Sequence, residues 1–112
     1  MKKRREEEEG GGEQEPLTIH FGDIHTYSEN SRRKYVIIDV GDESGCFTVS
    51  QLLHGGRLGF PGTGSRSDIG EIVGSMCLNE ILKGLGKTIG GDMSDLERML
   101  QENSRKPSKI IS

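Results

Sequence analysis

The sequence predicts an α+β fold: a small antiparallel sheet of about three strands, followed by one longer and one short helix. The first half of the chain alternates apolar and polar residues at the period of β-strands, and the second half carries apolar residues at helical spacing. Strands that precede helices along a chain are typical of a sheet with helices on one face. The length of 112 residues limits the chain to one such domain.

Both ends of the chain are predicted to lie outside this domain. Residues 1–16 contain runs of basic residues, glutamates and glycines, with Met1 as the single apolar side chain. Such a composition buries too little apolar surface to offset the entropy lost on ordering, so we expect a disordered charged tail. Residues 103–112 are expected to form a disordered basic tail, which leaves residues 17–102 as the single small α+β domain.

The strands are predicted from three apolar segments. Residues 17–21 alternate in the manner of a half-buried strand, and residues 24–27 resume it after a bulge at Gly22. Residues 35–40 are rich in β-branched side chains, and residues 46–50 follow after a short turn. The short connection predicts that the second and third strands form an antiparallel hairpin.

A longer helix is predicted over residues 69–83. Its apolar residues recur at helical spacing, and Asp68 with Glu71 resembles a capping box at its start. Gly70 and Gly74 lie one turn apart and would leave a smooth strip on one side of this helix. We therefore consider these two glycines a candidate contact surface for a partner.

The end of this helix and a second, shorter helix are predicted from further local signals. Gly84 or Gly86 is expected to stop the first helix, because glycine is a common C-terminal cap. Ser94 and Glu97 have the capping-box spacing before a short helix over residues 95–102. The inward side chains of that helix are expected to be Leu96, Met99 and Leu100.

Residues 55–67, here called the glycine segment, contain five glycines, one proline and two arginines. The main-chain amides of such a loop can hold an anion, with arginines as charged partners. Against an anion site, Asp68 and Glu71 would bring like charge close to the ligand, and the spacing matches no phosphate-binding motif. A flexible or interacting loop is the favoured interpretation. The candidate anion-binding residues are Arg57, Gly62, Gly64 and Arg66.

A basic cluster is the best candidate for contact with a nucleic acid. Residues 28–33 are predicted to be a polar turn, at the end of which the cluster stands beside two tyrosines whose rings could stack on bases. A solvated basic turn is the favoured alternative, because the net charge of −3 is spread evenly along the chain. The candidate nucleic-acid residues are Tyr27, Arg32, Arg33, Lys34 and Tyr35.

The histidines and cysteines give no sign of a metal or catalytic site. The histidines, His20, His25 and His54, are interpreted as solvated side chains on strand faces. Cys46 and Cys77 are interpreted as buried structural thiols. No serine or cysteine has a nearby base in a known catalytic arrangement. We therefore expect no enzyme, no metal and no cofactor.

The composition also bears on location. The chain has no apolar run of the roughly 20 residues that cross a bilayer, so we expect no membrane contact. The predicted location is the cytoplasm, with nuclear entry through the basic residues Lys2 to Arg5 as a further interpretation. The sequence contains no alanine, which suggests the codon constraints of a compact, virus-like genome.

The preferred function is a small non-enzymatic protein-interaction module. Its contact surfaces would be the glycine segment and the helix with Gly70 and Gly74, and its partner a protein, which includes a second copy of this chain. One alternative is an RNA-binding accessory protein of viral origin that counters a host defence. Another is an anion- or nucleotide-binding enzyme. Salt-dependent RNA binding would favour the first alternative, and stabilisation by phosphate compounds the second.

Overall fold

The computed structural model describes residues 15–42 and 45–112, and it confirms the α+β class. The predicted tail over residues 1–16, including the basic run, lies outside the described residues except for its last two positions. No helix in the described ranges is long and apolar enough to cross a membrane. In chain order the elements are β1 (Leu17–Ile19), β2 (Asp23–Tyr27), β3 (Asn30–Asp39), β4 (Phe47–Leu52), β5 (Gly62–Gly64), β6 (Ile69–Ser75), α1 (Leu78–Ile89), α2 (Ser94–Ser104) and β7 (Lys109–Ile111).

The main sheet has five strands rather than the predicted three. Their order is β5-β4-β3-β2-β6, and every neighbouring pair is antiparallel. The predicted hairpin is confirmed: β3 pairs with β4, and Ile37 lies opposite Val49. The predicted bulge at Gly22 is wrong, because Gly22 has a φ of 89° and turns the chain from β1 into a different sheet. The predicted polar turn over residues 28–33 is shorter than expected: it covers residues 28 and 29, because β3 already begins at Asn30.

The main sheet is curled, because the segment that connects its two edge strands, β5 and β6, is too short to span a flat sheet. Ile69 begins β6 five residues after Gly64 ends β5, and five residues span at most about 18 Å. Four strand spacings in a flat sheet already add up to about 19 Å. The chain between them also contains a 3₁₀ turn, Arg66–Asp68, which shortens its reach further. The two edges of the sheet must therefore bend toward each other.

A ring contact across the sheet supports the same conclusion. The positions of two residues can be compared along the strand β3, which lies between β2 and β4. Phe47 on β4 is next to Thr48, which pairs with Asp39 of β3. His25 on β2 pairs with Tyr35 of β3. In a flat sheet the backbones of Phe47 and His25 would be separated by about five residues and two strand spacings, or about 19 Å. Their ring centroids nevertheless lie 6.3 Å apart. The curl brings both rings into the interior.

Two apolar clusters fill the two faces of the curled sheet. The inner cluster combines side chains of β3, β4 and β6 with the small β1–β7 sheet, which closes one end of the interior. The outer cluster joins the opposite face of β3 to α1 and α2. The buried inner residues are Ile19, Ile37, Val40, Phe47, Val49, Ile69 and Ile111. The buried outer residues are Val36, Ile38, Leu58, Ile81, Leu85 and Leu100.

The predicted helix over residues 69–83 is wrong in its first half. That stretch forms β6, which pairs with β2, and α1 begins only at Leu78. β-branched side chains and two glycines disfavour a helix there, and the open side of β2 supplies a strand partner. Asp68 caps no helix at that point. Its carboxylate instead accepts the amide hydrogen of Ser65 at 3.0 Å within the 3₁₀ turn.

The predicted helix stop at Gly84 or Gly86 is wrong as well, because α1 continues to Ile89 and ends at Gly90. At its start, the Cys77 amide donates to the Glu80 carboxylate at 3.0 Å, which lowers the pKa of Glu80. α2 confirms a second helix, although it runs longer than predicted. Its buried face contains Leu100, whereas Met99, expected to point inward, is exposed.

Residues 103–112, predicted to be a disordered tail, complete α2 and form β7. The buried Asn103 side chain donates to the Ile38 carbonyl at 3.1 Å, and β7 pairs with β1. Lys106 Nζ lies 2.9 Å from the Asp39 carboxylate, and this hydrogen bond raises the pKa of Lys106. The sequence signal was weak because β7 has three residues and pairs with residues 90 to 94 positions earlier in the chain.

A candidate binding cavity at the open end of the sheet

A cavity of about 210 Å³ lies at the end of the curled interior that the β1–β7 sheet leaves open. Five elements of the chain contribute to its wall: β2, β3, β4, β5 and the 3₁₀ turn before β6. The curl of the sheet is what brings these segments together. The lining residues are His25, Tyr27, Arg33, Tyr35, Val49, Thr63, Gly64 and Asp68.

His25 is the most buried polar residue of this wall, with only 1 % of its surface exposed. Its Nδ1 lies 2.9 Å from the Thr26 carbonyl oxygen. Because a carbonyl can only accept, Nδ1 carries the proton and Nε2 is left as an acceptor. Nε2 has no hydrogen-bond partner among the described residues. Burial lowers the pKa of His25, which keeps the ring neutral near pH 7.

The prediction of a solvated His25 is therefore wrong. β2 lies between β3 and β6 rather than at an edge, and the inner face of the curled sheet encloses the side chain. The ring stacks on Tyr35 at 5.9 Å and meets the Phe47 ring edge-on. His20 is exposed as predicted, with Nδ1 3.5 Å from the Asp23 carboxylate, and His54 is exposed in a 3₁₀ turn.

The two tyrosines of the chain both line the cavity. Tyr27 comes from the end of β2 and Tyr35 from β3, and their ring centroids lie 6.0 Å apart with an interplanar angle of 61°. Both side chains are half-buried. Together with His25 they form a row of three rings along one wall, a surface suited to flat partners.

One charge of each sign completes the wall. Arg33 precedes Tyr35 by two residues, so the alternation of a strand directs both side chains to the same face. Asp68 comes from the 3₁₀ turn on the opposite side. Gly64 also lines the cavity, and a Cβ atom at this position would stand 2.8 Å from the Phe47 ring. Glycine at position 64 therefore lets the Phe47 ring pack closely against β5.

The structure thus brings together three of the five predicted nucleic-acid residues. Tyr27, Arg33 and Tyr35 share the cavity, although the predicted turn that was to carry the cluster is a strand. Arg32 and Lys34 do not line it. Lys34 directly precedes Tyr35 in the paired part of β3, so strand alternation directs it to the other face. The three basic residues therefore form no single patch.

The predicted anion-binding residues are dispersed. Gly64 lines the cavity, whereas Gly62 is exposed on β5 and Arg57 is exposed outside the cavity. Arg66 donates from Nε to the Glu15 carbonyl at 3.0 Å and from Nη1 to the Ile69 carbonyl at 3.3 Å. The guanidinium of Arg66 is thus held by main-chain carbonyl groups, and Arg66 does not line the cavity.

Gly70 and Gly74 lie on the edge strand β6 and not on a helix. A Cβ at position 70 would collide with Thr26 Oγ1, the atom that accepts the Glu71 amide hydrogen at 3.0 Å. Close strand packing therefore explains Gly70. A Cβ at position 74 would make only an ordinary contact with Ile24, so this edge position is open.

The prediction of two buried thiols is wrong, since Cys46 and Cys77 are both exposed. Cys46 borders the turn between β3 and β4, and Cys77 precedes the first turn of α1, so neither faces an apolar cluster. Within residues 15–42 and 45–112, no three His, Cys, Asp or Glu side chains are grouped as metal ligands.

Four residues of the cavity were not predicted as site residues: His25, Val49, Thr63 and Asp68. The alternation of His25 with Tyr27 was a usable signal, because residues two apart on a strand share a face. No local pattern pointed to Asp68, which was interpreted as a helix cap. No protein-family model, curated protein or solved structure matches this chain.

Proposed function

We propose that this protein is a small, non-enzymatic protein-interaction module that binds its partner through the glycine segment. The observation that carries the proposal is the exposure of Phe60, which leaves 73 % of its surface in solvent in the middle of that segment. Aromatic side chains, phenylalanine included, are enriched in the cores of protein interfaces. A partner that covered Phe60 would bury an apolar surface that this chain leaves in water.

Phe60 extends from a well-anchored backbone. Leu58, two residues earlier, is fully buried, and its amide donates to the Gly84 carbonyl at 3.0 Å. The Gly59 amide donates to the Gln51 carbonyl at 2.9 Å, and Lys87 Nζ donates to the Gly55 carbonyl at 3.0 Å. Because the segment is already ordered at this end, less conformational entropy is lost when a partner binds.

The neighbouring edge of the sheet offers hydrogen-bonding groups to the same partner. β5 pairs with β4 on one side, and no strand pairs with its outer side within the described residues. A Cβ at Gly62 would meet nothing within 4 Å, so an approaching backbone finds no side chain in its way. An extended peptide can add to such an edge while Phe60 supplies an apolar contact beside it.

The opposite edge is less suited to strand addition. The pairing of β6 with β2 shifts register between Ile24 and His25 and again between His25 and Tyr27. Such bulges interrupt the regular row of amides and carbonyls that an added strand needs. We therefore assign the contact to the glycine segment rather than to Gly70 and Gly74.

A capture experiment with two exposed apolar positions tests this function. Tagged wild type, Phe60→Ser and Ile110→Ser are incubated with nuclease-treated lysate of the native host, and bound proteins are quantified. Ile110 is the matched control, because it is 70 % exposed but lies on β7. We expect Phe60→Ser to reduce the bound partner by about tenfold or more, the effect of losing an interface anchor, and Ile110→Ser to retain it.

Thermal unfolding of all three proteins checks that the fold is intact. We expect equal melting temperatures, since neither Phe60 nor Ile110 belongs to the two apolar clusters. Equal capture by wild type and Phe60→Ser would remove the basis of the proposal. The wild type is also incubated with untreated lysate. Partners that bind from untreated lysate but not from nuclease-treated lysate would contradict the proposal, because a nucleic acid would then mediate the contact.

A further inference from the structure

We propose that the cavity beside Tyr27 and Tyr35 binds one neutral, planar nucleobase, either free or presented by a single-stranded nucleic acid. Phe60 does not line this cavity, and the inference goes beyond the proposed protein contact. Three features of the wall carry the inference: its size and rings, its pair of opposite charges, and the unsatisfied acceptor of His25.

The size and rings of the cavity limit the shape of the guest. Its volume of about 210 Å³ is smaller than the roughly 300–1,000 Å³ of sites that enclose drug-sized ligands. It accommodates one ring system rather than a whole nucleotide. The half-buried rings of Tyr27 and Tyr35 present aromatic surface to it, and bases of any kind stack on such surfaces.

The two charges of the wall limit the charge of the guest. A cationic group would approach Arg33 at the cost of like-charge repulsion, and an anionic group would meet the same penalty at Asp68. A neutral guest with an acceptor for Arg33 and a donor for Asp68 satisfies both. Nucleobases carry donors and acceptors side by side along one edge of a flat ring. An asparagine or glutamine side chain carries both groups but has no ring to stack.

His25 supplies the third feature. Its Nε2 is a buried acceptor without a partner in the described part of the chain, and its ring lines the cavity. A buried acceptor without a donor is unfavourable, so a guest N–H that reached it would relieve that penalty. Nε2 has almost no exposed surface, so the donor reaches it by displacing the half-buried rings of Tyr27 and Tyr35.

Nuclear magnetic resonance titration of the full chain tests the proposal. The chain has two tyrosines, and both line the cavity, so their ring signals report on this site alone. The probes are the four ribonucleosides, a short single-stranded RNA, and ribose 5-phosphate as the control without a base. We expect saturable shifts of both ring signals with at least one base-containing probe and none with ribose 5-phosphate.

Two neighbouring arginines provide a matched pair of variants. Arg33→Gln should weaken the affinity by about tenfold, the loss expected for a hydrogen bond from a charged donor. Arg32→Gln removes the same charge one residue away but outside the cavity wall, and should change the affinity by less than about twofold. Both side chains are exposed on β3, so neither change disturbs a packed core.

The probes also separate the two sources of the base. Shifts caused by nucleosides uphold the proposal with a free base as ligand, and shifts caused by RNA alone uphold it with a base presented by the polymer. The proposal is overturned if neither probe shifts the ring signals, if ribose 5-phosphate acts as well as a nucleoside, or if Arg32→Gln weakens binding as much as Arg33→Gln.

Discussion

At the scale of single residues, the chemistry of the cavity depends on the environment of His25. Its Nδ1 bond to the Thr26 carbonyl determines which nitrogen carries the proton, and its burial keeps the ring neutral. Burial lowers the pKa of His25; the Thr26 hydrogen bond, followed by the negative charges of Asp68 and Asp23, acts in the opposite direction with a smaller effect. Protonation of His25 is therefore less favourable in the folded protein than in water.

This environment predicts that acid destabilises the fold through His25. In the unfolded chain the histidine pKa is about 6.5, and folding lowers it, so the unfolded state binds the proton more tightly. Well above pH 6.5 the histidine is neutral in both the folded and the unfolded state, so it does not reduce the stability of the fold. As the pH falls below that value the unfolded state takes up the proton first, and the fold loses stability. The free energy of unfolding should fall by up to about 1.4 kcal/mol per pH unit in this range. Chemical denaturation between about pH 7.5 and 5.5 measures it.

Other charged and titratable groups lie near the His25 ring, so the pH measurement needs a control variant that separates the ring from them. The charged and titratable side chains that surround the ring are Asp23, Asp68, Arg33, Tyr27 and Tyr35. Comparison of His25→Phe with the exposed-site variant His54→Phe isolates the buried ring. The account predicts that His25→Phe flattens the pH dependence and that His54→Phe retains it. The same pH dependence in all three proteins would show that His25 is not the titrating group.

At the scale of elements, glycine has different roles at two neighbouring positions of α1. Gly84 is buried where the helix crosses the glycine segment, and a Cβ there would lie 2.5 Å from the Gly56 carbonyl oxygen and 2.8 Å from Leu58 Cγ. At Gly86 a Cβ would meet only Met93 Cε, at 3.8 Å. The first glycine permits the close crossing that anchors the segment carrying Phe60, whereas the second has no such requirement.

Alanine substitutions at these two positions should therefore change stability in opposite directions. Gly84→Ala should destabilise the protein by about 1–3 kcal/mol, because overpacking against a backbone carbonyl outweighs the gain in helix propensity. Gly86→Ala should stabilise it by about 0.4–1 kcal/mol, since alanine restricts the unfolded chain without strain in the helix. Urea denaturation measures both changes. Stabilisation by both substitutions would contradict the close helix crossing.

At the scale of the whole molecule, local patterns predicted the elements whose partners are near in sequence. The β-branched run before Asp39 and its hairpin with β4 were predicted, because adjacent strands joined by a short turn leave few alternatives. β6 was predicted as a helix because Ile69, Ile72 and Val73 recur at helical spacing, whereas the pairing with the distant strand β2, with its two register shifts, makes this stretch a strand. β7 was missed because its partner β1 lies at the other end of the chain.

The site was predictable only in part, for the same reason. Tyr27, Arg33 and Tyr35 were singled out by their residue types, and strand alternation explains why Lys34 does not join them. The contributions of Thr63, Gly64 and Asp68 depend on the curl of the sheet, which no local pattern contains. The cavity is thus a property of the whole fold, assembled from segments up to 43 positions apart, from His25 to Asp68.

The central claim is that the sheet curls until β2 and β4 meet across its interior. The ring-to-ring nuclear Overhauser effect between Phe47 and His25 tests it most directly, because their centroids lie 6.3 Å apart in the curled sheet but their backbones would be about 19 Å apart in a flat one. The Phe47 contact with Gly64 provides an internal control. We expect cross-peaks from the Phe47 ring to both His25 and Gly64. A cross-peak to Gly64 with none to His25 would contradict the curl, and with it the cavity.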